Sequence, residues 1–513
     1  MEMEEIEADN KLDQPINKKK SQKKSKNKSS FSKKLATFTL FSITLISFFL
    51  FIYYNKRANY NLNSLEKNEK AEGSKILGES PCKPEMPNQE GECITNYSFK
   101  AIYKTFKEEG KIQLINSIDL KIVKEMIIEG KKVEPTKEFK FNTKGNHEVY
   151  FLLDDSKLDS LSHLFDNIIY LESIYFSEKF NSEKITRMDG MFKNCKSLKN
   201  VDLSKFNTKN VKQMDFMFHD CTALISLDLS NFNNENLVKM NRMFFQCSAL
   251  QSLNLKNFKT TKVEDMSYAF ANCYNIKTLD LSSFDTSNVK NMRGMFERCK
   301  SLFYVNIKKF NTEKVEDMAY MFNKCYSLVS VDTENFFAPK VKSMISMFYS
   351  CKALTSLDLS KFNGEQVLEL DNMLEGCNSL SYINFSNFQP QNLKKMDYLF
   401  FFCGSLTSLE LKNFRTESVT SMTGMFQGCS KLKTVDISSF NTKNVESMVD
   451  MFNGCSSLTK IDISNFNIEN VHFMHRIFDN CNSLSKGEIK MNRKCFMKFE
   501  RIFPKNLTLG VVE

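Results

Sequence analysis

From about residue 160 to residue 485 the apolar positions of the chain recur with a period of 26. One period, residues 198–224, reads LKNVDLSKFNTKNVKQMDFMFHDCTAL. Leu198, Val201 and Leu203 form an L-x-x-V-x-L phrase. Its alternation places Val201 and Leu203 on one face and Asn200, Asp202 and Ser204 on the other, which predicts a short strand. Phe206 and a polar turn follow. Val211, Met214, Met217 and Phe218 then fall at spacings of three and four, the pattern of one face of a short helix. Cys221 closes the segment and Leu224 opens the next copy.

One strand and one helical segment cannot bury a core alone. Stacked copies can, because each apolar position lies over its equivalent in the next coil. The period is strict: Cys195, Cys221, Cys247, Cys273, Cys299, Cys325, Cys351, Cys377, Cys403, Cys429, Cys455 and Cys481 are each 26 residues apart. An imperfect first copy carries Ile168 in place of the cysteine, as a terminal coil does. Stacking at about 4.8 Å would make twelve coils a rod roughly 60 Å long.

The phrase resembles a leucine-rich repeat: L-x-x-L-x-L, an Asn-bearing turn, then F-x-x-C-x-x-L. More narrowly, TLDLSSFDTSNVKNMRGMFERCKSL (278–302) and TVDISSFNTKNVESMVDMFNGCSSL (434–458) resemble the BspA-like leucine-rich-repeat surface proteins. The resemblance covers about two-thirds of the chain, residues 160–485. The expected fold class is α/β. It is a right-handed solenoid of leucine-rich-repeat type with a parallel sheet on one face and short helices on the other, preceded by a transmembrane helix and a small β-rich domain.

Those preceding segments come from the rest of the pattern. Residues 1–34 read as a disordered basic tail, and 18–34 hold nine lysines and no acid. Residues 35–54, LATFTLFSITLISFFLFIYY, carry no charge and match the ~20 residues that cross a bilayer as a helix. With the basic flank upstream, this is expected to be a retained signal anchor, N-terminus cytosolic and repeats outside. A cleaved signal peptide is the rival reading. Residues 55–94 read as a polar stalk in which Cys82 and Cys93 could close a disulfide. Residues 95–158 show short strand patterns between charged turns, read as a small β-rich domain. The solenoid is assigned to 159–486, about 13 repeats, and a C-terminal cap to 487–513.

Composition changes this picture little. Gly (16) and Pro (8) are scarce for 513 residues and Phe (47) is abundant, which fits a long packed array. The net charge of +10 is largely that of the lysine run. It does not point to nucleic acid, because the repeats carry an acidic column. Sequons at Asn96, Asn384 and Asn506 are candidate glycosylation sites if the chain follows a secretory route.

Three readings of the cysteines compete. Metal binding needs clustered ligands, which one cysteine per coil does not supply. Disulfides between coils fall within range, but stacked equivalents point the same way. The expectation is therefore twelve buried, unreactive thiols filling one corner of every coil; Cys495 is left as free or paired. The Phe and Met columns read as core.

Function is sought on the outward columns. The middle of the strand face holds Asp202, Asp228, Asp280, Asp332, Asp358, Asp436 and Asp462, with Asn or Glu in the remaining coils. Tyr304 and Tyr382 interrupt a column of hydroxyl residues beside it. One reading is that neighbouring hydroxyls and amides satisfy the carboxylates; the other is that the face binds a protein, a glycan or a divalent cation. The five histidines (His147, His163, His219, His472, His475) are scattered, and no phosphate-cradling loop or nucleophile elbow occurs. No enzyme activity and no cofactor are expected. The resemblance implies a surface protein engaged in adhesion or recognition of an extracellular protein or glycan. The rival readings are a self-associating coat component and a receptor ectodomain.

Overall fold

Most repeats begin with a strand only three residues long, because only x-Leu-x alternates before the polar turn. The computed structural model describes residues 94, 96–106, 110–484, 488–499 and 509–512. The repeat strands are β8 (Asn200–Asp202), β9 (Ser226–Asp228), β10 (Ser252–Asn254), β11 (Thr278–Asp280), β12 (Tyr304–Asn306), β13 (Ser356–Asp358), β14 (Tyr382–Asn384), β15 (Ser408–Glu410), β16 (Thr434–Asp436) and β17 (Lys460–Ile463). Together they mark a β-solenoid of about twelve turns. Pairing is parallel and in register with the repeat, Leu227 facing Leu253 and Leu357 facing Ile383. The ladders run in pairs of coils: β9 with β10, β11 with β12, β13 with β14, β15 with β16. Residues 330–332 form no strand. In that coil Thr333 replaces the usual Leu or Ile and gives its hydroxyl to the carbonyl of Asp358.

The short helices expected on the far side do not form. An α-helix sends every N–H to the carbonyl four residues back. Here alternate N–H groups do different things. Those of Met217, His219 and Cys221 reach three residues back, to the carbonyls of Met214, Phe216 and Phe218. Those of Met214, Phe216, Phe218 and Asp220 cross to the next coil, to Lys239, Asn241, Met243 and Phe245, at 2.8–3.0 Å. The chain manages this by placing two residues per coil in the left-handed region, four apart: Phe216 (φ 57°) and Asp220 (φ 61°), Arg242 and Gln246, Tyr268 and Asn272, and so on along the array. The segment is a stack of turns hydrogen-bonded from coil to coil. The three-and-four spacing that suggested a helix is still satisfied, since Met214, Met217, Phe218 and Cys221 are all fully buried. Among the described residues α-helix is confined to α1 (Arg493–Phe499), beyond the last repeat.

Between strand face and turn face lies the core. Phe192, Phe218, Phe244, Phe270, Phe296, Phe322 and Phe348 stack nearly parallel with ring centroids 5.3–5.7 Å apart. Leu374 interrupts the stack, which resumes from Phe400 to Phe478.

The region before the repeats is not a separate domain, which corrects the expected architecture. Its strands are β1 (Phe99–Thr105), β2 (Ile112–Gln113), β3 (Val123–Ile128), β4 (Lys131–Val133), β5 (Glu138–Phe139) and β6 (Gly145–Leu153), with β7 (Leu171–Phe176) belonging to the first coil. β1 pairs antiparallel with β6 and with β7, and β7 pairs parallel with β8. One six-stranded sheet, β4-β3-β6-β1-β7-β8, thus passes from antiparallel strands into the solenoid. Phe99, buried in β1, packs on Phe165 of the first coil as well as on Phe151 and Phe176. At the other end β18 (Glu488–Asn492) and β19 (Leu509–Val512) extend the sheet beyond β17 in parallel.

The single-pass membrane localisation expected from the sequence is also corrected. Among the described residues no helix is long and apolar enough to cross a membrane. The tail 1–34, the segment 35–54, the possible Cys82–Cys93 bridge and the sequon at Asn506 lie outside the described residues.

Candidate ligand faces

The strand face carries the outward columns singled out in the sequence. Asp228, Asp280, Asp332, Asp358, Asp436 and Asp462 are exposed and Asp202 is half-buried. Each accepts, on one carboxylate oxygen, the backbone N–H two residues on: Ser204, Ser230, Ser282, Glu334, Ser360, Ser438 and Ser464, at 2.8–3.1 Å. The aspartate thus turns the chain out of the strand, an Asx turn. Asn306 adds a bond across coils to Asp280 at 2.8 Å. Hydrogen bonds from Ser438 hold the Asp436 carboxyl below its ordinary pKa.

Tyr304 and Tyr382 stand on this face 45% and 58% exposed. Burial, then the carboxylates of Asp280 and Asp332, push the Tyr304 phenol upward in pKa, so this ring has acidic neighbours on both sides. Phe303 and Ile225, beside strands β12 and β9, and Val329, in the coil without a strand, are exposed apolar residues. Asn384 is half-buried, with its amide oxygen taken by the N–H of Ser386, while Asn96 is exposed.

The twelve repeat cysteines are buried and free of disulfides, as is Cys495. Each thiol reaches a carbonyl of the preceding coil; Cys221 lies 3.1 Å from the oxygen of Phe192 and Cys247 3.1 Å from that of Phe218. Burial pushes the thiols of Cys299, Cys377 and Cys429 up to about 12. The histidines do not converge. His147 is buried between Thr105 and Glu129, and His163 pairs with Asp166 at 2.8 Å. Among the described residues no group of His, Cys, Asp and Glu could hold a metal ion. A surface cavity of about 500 Å³ beside Asn231, Lys256 and Lys259 has Asn231 bonded to carbonyls of the preceding coil and Lys259 paired with Glu235.

The turn face was missed in the sequence because its geometry depends on the left-handed residues. These aim side chains outward in columns, and in the first half of the array aromatic rings and arginines alternate there. Arg242 lies over Phe216 at 5.7 Å and Tyr268 at 5.2 Å, and Arg293 lies over Tyr320 at 4.8 Å. Farther along, the same face holds Asp371, Glu375 and Asp397, all raised in pKa by burial, Asp371 to about 6. Asp371 and Asp397 each accept a backbone N–H from the coil that follows, those of Asp397 and Thr423.

A repeat solenoid with this register and these capping strands defines the class. The family described as "Mycoplasma protein of unknown function, DUF285" matches residues 159–279, 264–388, 329–409 and 394–508, and the chain belongs to that family. No curated protein matches the chain. Among solved structures it is similar to a leucine-rich repeat protein from Bacteroides ovatus ATCC 8483, at 14% identity and a TM-score of 0.33, covering 67% of this chain and 88% of that one. It is also similar to a leucine-rich cell surface protein from Faecalibacterium prausnitzii A2-165, at 16% identity and a TM-score of 0.29, covering 67% and 78%. A third is the functional domain of InlJ from Listeria monocytogenes, described as including a cysteine ladder, at 16% identity and a TM-score of 0.19, covering 67% and 76%.

Proposed function

We propose that this protein recognises an extracellular protein or glycan through the strand face of its solenoid, without chemistry, in the manner of a BspA-like adhesin. One observation carries the reading: Tyr304 and Tyr382 stand exposed on the strand face beside a column of exposed aspartates. Exposed aromatics on a rigid polar surface are the residue type that dominates recognition energetics. Rigidity matters because a preformed face loses little entropy on binding.

The test is a panel of immobilised glycans and extracellular matrix proteins probed with the full chain and with the double variant Tyr304→Ser/Tyr382→Ser. The reading expects a ligand whose affinity falls about tenfold or more in the variant, the equivalent of ~1.4 kcal/mol. A ligand bound equally by both proteins removes the strand face from the reading. A panel with no ligand, together with concentration-dependent assembly in sedimentation, turns it toward the coat component, for which exposed Phe303 and Val329 would be the contacts.

A further inference from the structure

The turn face seats a tyrosine over a left-handed glycine twice, five coils apart, and among the described residues an arginine bonds that tyrosine in the first copy alone. In the first copy Tyr268 stands over Gly294, whose φ is +58° and whose added Cβ would fall 2.3 Å from the ring. The residue before that glycine, Arg293, sends its guanidinium outward. Its Nε donates to the Tyr268 hydroxyl at 3.1 Å, an Nη donates to Asp317 at 3.1 Å, and the group lies on the Tyr320 ring. The second copy has Tyr398 over Gly424, with φ +60° and an added Cβ falling 2.4 Å from the ring. The residue before that glycine is Thr423, too short to reach outward. Asp450 stands where the first copy has Tyr320.

The surroundings of this second copy are acidic. Burial, then the carboxylates of Asp397, Asp450 and Glu375, raise the Tyr398 phenol in pKa. Arg476 pairs with Asp450 at 2.7 Å and Lys395 with Glu369 at 2.9 Å, whereas Asp371, Glu375 and Asp397 have no ion-pair partner among the described residues. Tyr398 meets Phe401 edge-on at 5.4 Å, and Phe401 meets Phe402 edge-on at 4.5 Å. Phe402 is 50% exposed and seated over Gly428. Among the described residues no lysine or arginine lies over these three rings. Ring faces beside carboxylates attract guanidinium through the ring quadrupole and through charge together.

We propose that the turn face at Tyr398, Gly424 and Asp397 receives an arginine side chain of a partner protein, in the place that Arg293 fills for the first copy. Phe401 and Phe402 extend the platform along which that partner segment lies. Arginine fits better than lysine, because the planar group both stacks on the ring and donates to carboxylates in its own plane. The site lies on the opposite side of the coil from the strand face and does not depend on it.

The test uses the full chain and a fluorescein-labelled Arg-Gly-Arg-Gly-Arg peptide, followed by anisotropy. The peptide with citrulline at the three arginine positions is the neutral control. Binding of the arginine peptide is expected to be about tenfold or more tighter than that of the control. Thr423→Arg should fill the place from within, as Arg293 does, and weaken peptide binding about fivefold or more in a protein that still melts cooperatively. Tyr398→Leu should weaken it similarly; if that variant unfolds, Thr423→Arg decides. Tyr304→Ser/Tyr382→Ser should leave peptide binding as it was, which keeps this site distinguishable from the strand face. Equal binding of the citrulline peptide, or full binding by Thr423→Arg, overturns the proposal.

Discussion

At the scale of single residues, the array shows what each column requires by the coils that depart from it. Thr208, Thr260, Thr286, Thr416 and Thr442 hold one buried position, where the hydroxyl joins adjacent coils: Thr286 donates to the Asn311 carbonyl and accepts the Asn311 N–H, both at 2.8 Å. Asn234 takes that place in one coil. It is 1% exposed, and neither its amide oxygen nor its amide nitrogen has a partner. Asn234→Thr should therefore raise stability by about 1–2 kcal/mol in a urea titration, since an unpaired buried polar group carries a penalty of that order. The cysteines give a second prediction. Thiols held near 12 carry almost no thiolate at pH 8, so Ellman's reagent should label the repeat cysteines only after denaturation. The sign of the linkage follows. Above the ordinary thiol pKa the unfolded chain loses these protons while the folded chain keeps them, so stability falls as pH rises from about 9 towards 12. A melting-temperature series across that range checks it, with twelve such groups acting together.

At the scale of elements, the turn ladder is the main difference between expectation and structure. Helix and turn stack both place residues i, i+3, i+4 and i+7 inward, so the hydrophobic spacing of Met214, Met217, Phe218 and Cys221 could not separate them. The distinguishing signal is backbone sign, and it is hidden. The left-handed positions are occupied by Phe, Arg, Tyr, Lys, Asp and Asn as well as by Gly. A non-glycine residue there costs about 1–2 kcal/mol, offset by the N–H groups it turns toward the next coil. Gly294→Ala should consequently cost about 1–2 kcal/mol from φ alone, and more as the Tyr268 ring is displaced; calorimetry of the variant measures it. The strands were legible because alternation over Leu and Val is unambiguous even in three residues. The pairing of β1 with β7 was not, since it joins segments about 70 residues apart with no shared motif. The strand-face columns were likewise visible as alternation, whereas the Tyr398 platform depends on the positive φ of Tyr398 and Phe402 themselves, which residue type does not reveal.

At the scale of the whole array, register is the governing constraint. Coils bond one another along the turn face through residues 25 apart, and in pairs on the strand face through residues 26 apart. Removing residues 275–300, one full period, should leave a folded protein with a somewhat lower melting temperature. Removing residues 275–299, one fewer, should shift every later side chain out of its column and abolish the cooperative transition in circular dichroism. The two ends depend on their own devices, the antiparallel β1–β6 strands before the first coil and β18–β19 after the last.

The bonds of the turn ladder run from coil to coil, so tension applied between the two ends of the array loads them along their length. The coils would detach in succession instead of all together. Each detached coil frees 26 residues of slack, on the order of 90 Å when drawn taut. In an optical trap the molecule should lengthen in even steps, and under a sudden pull it would act as a shock absorber: the load is shed gradually while the coils still stacked keep their faces intact.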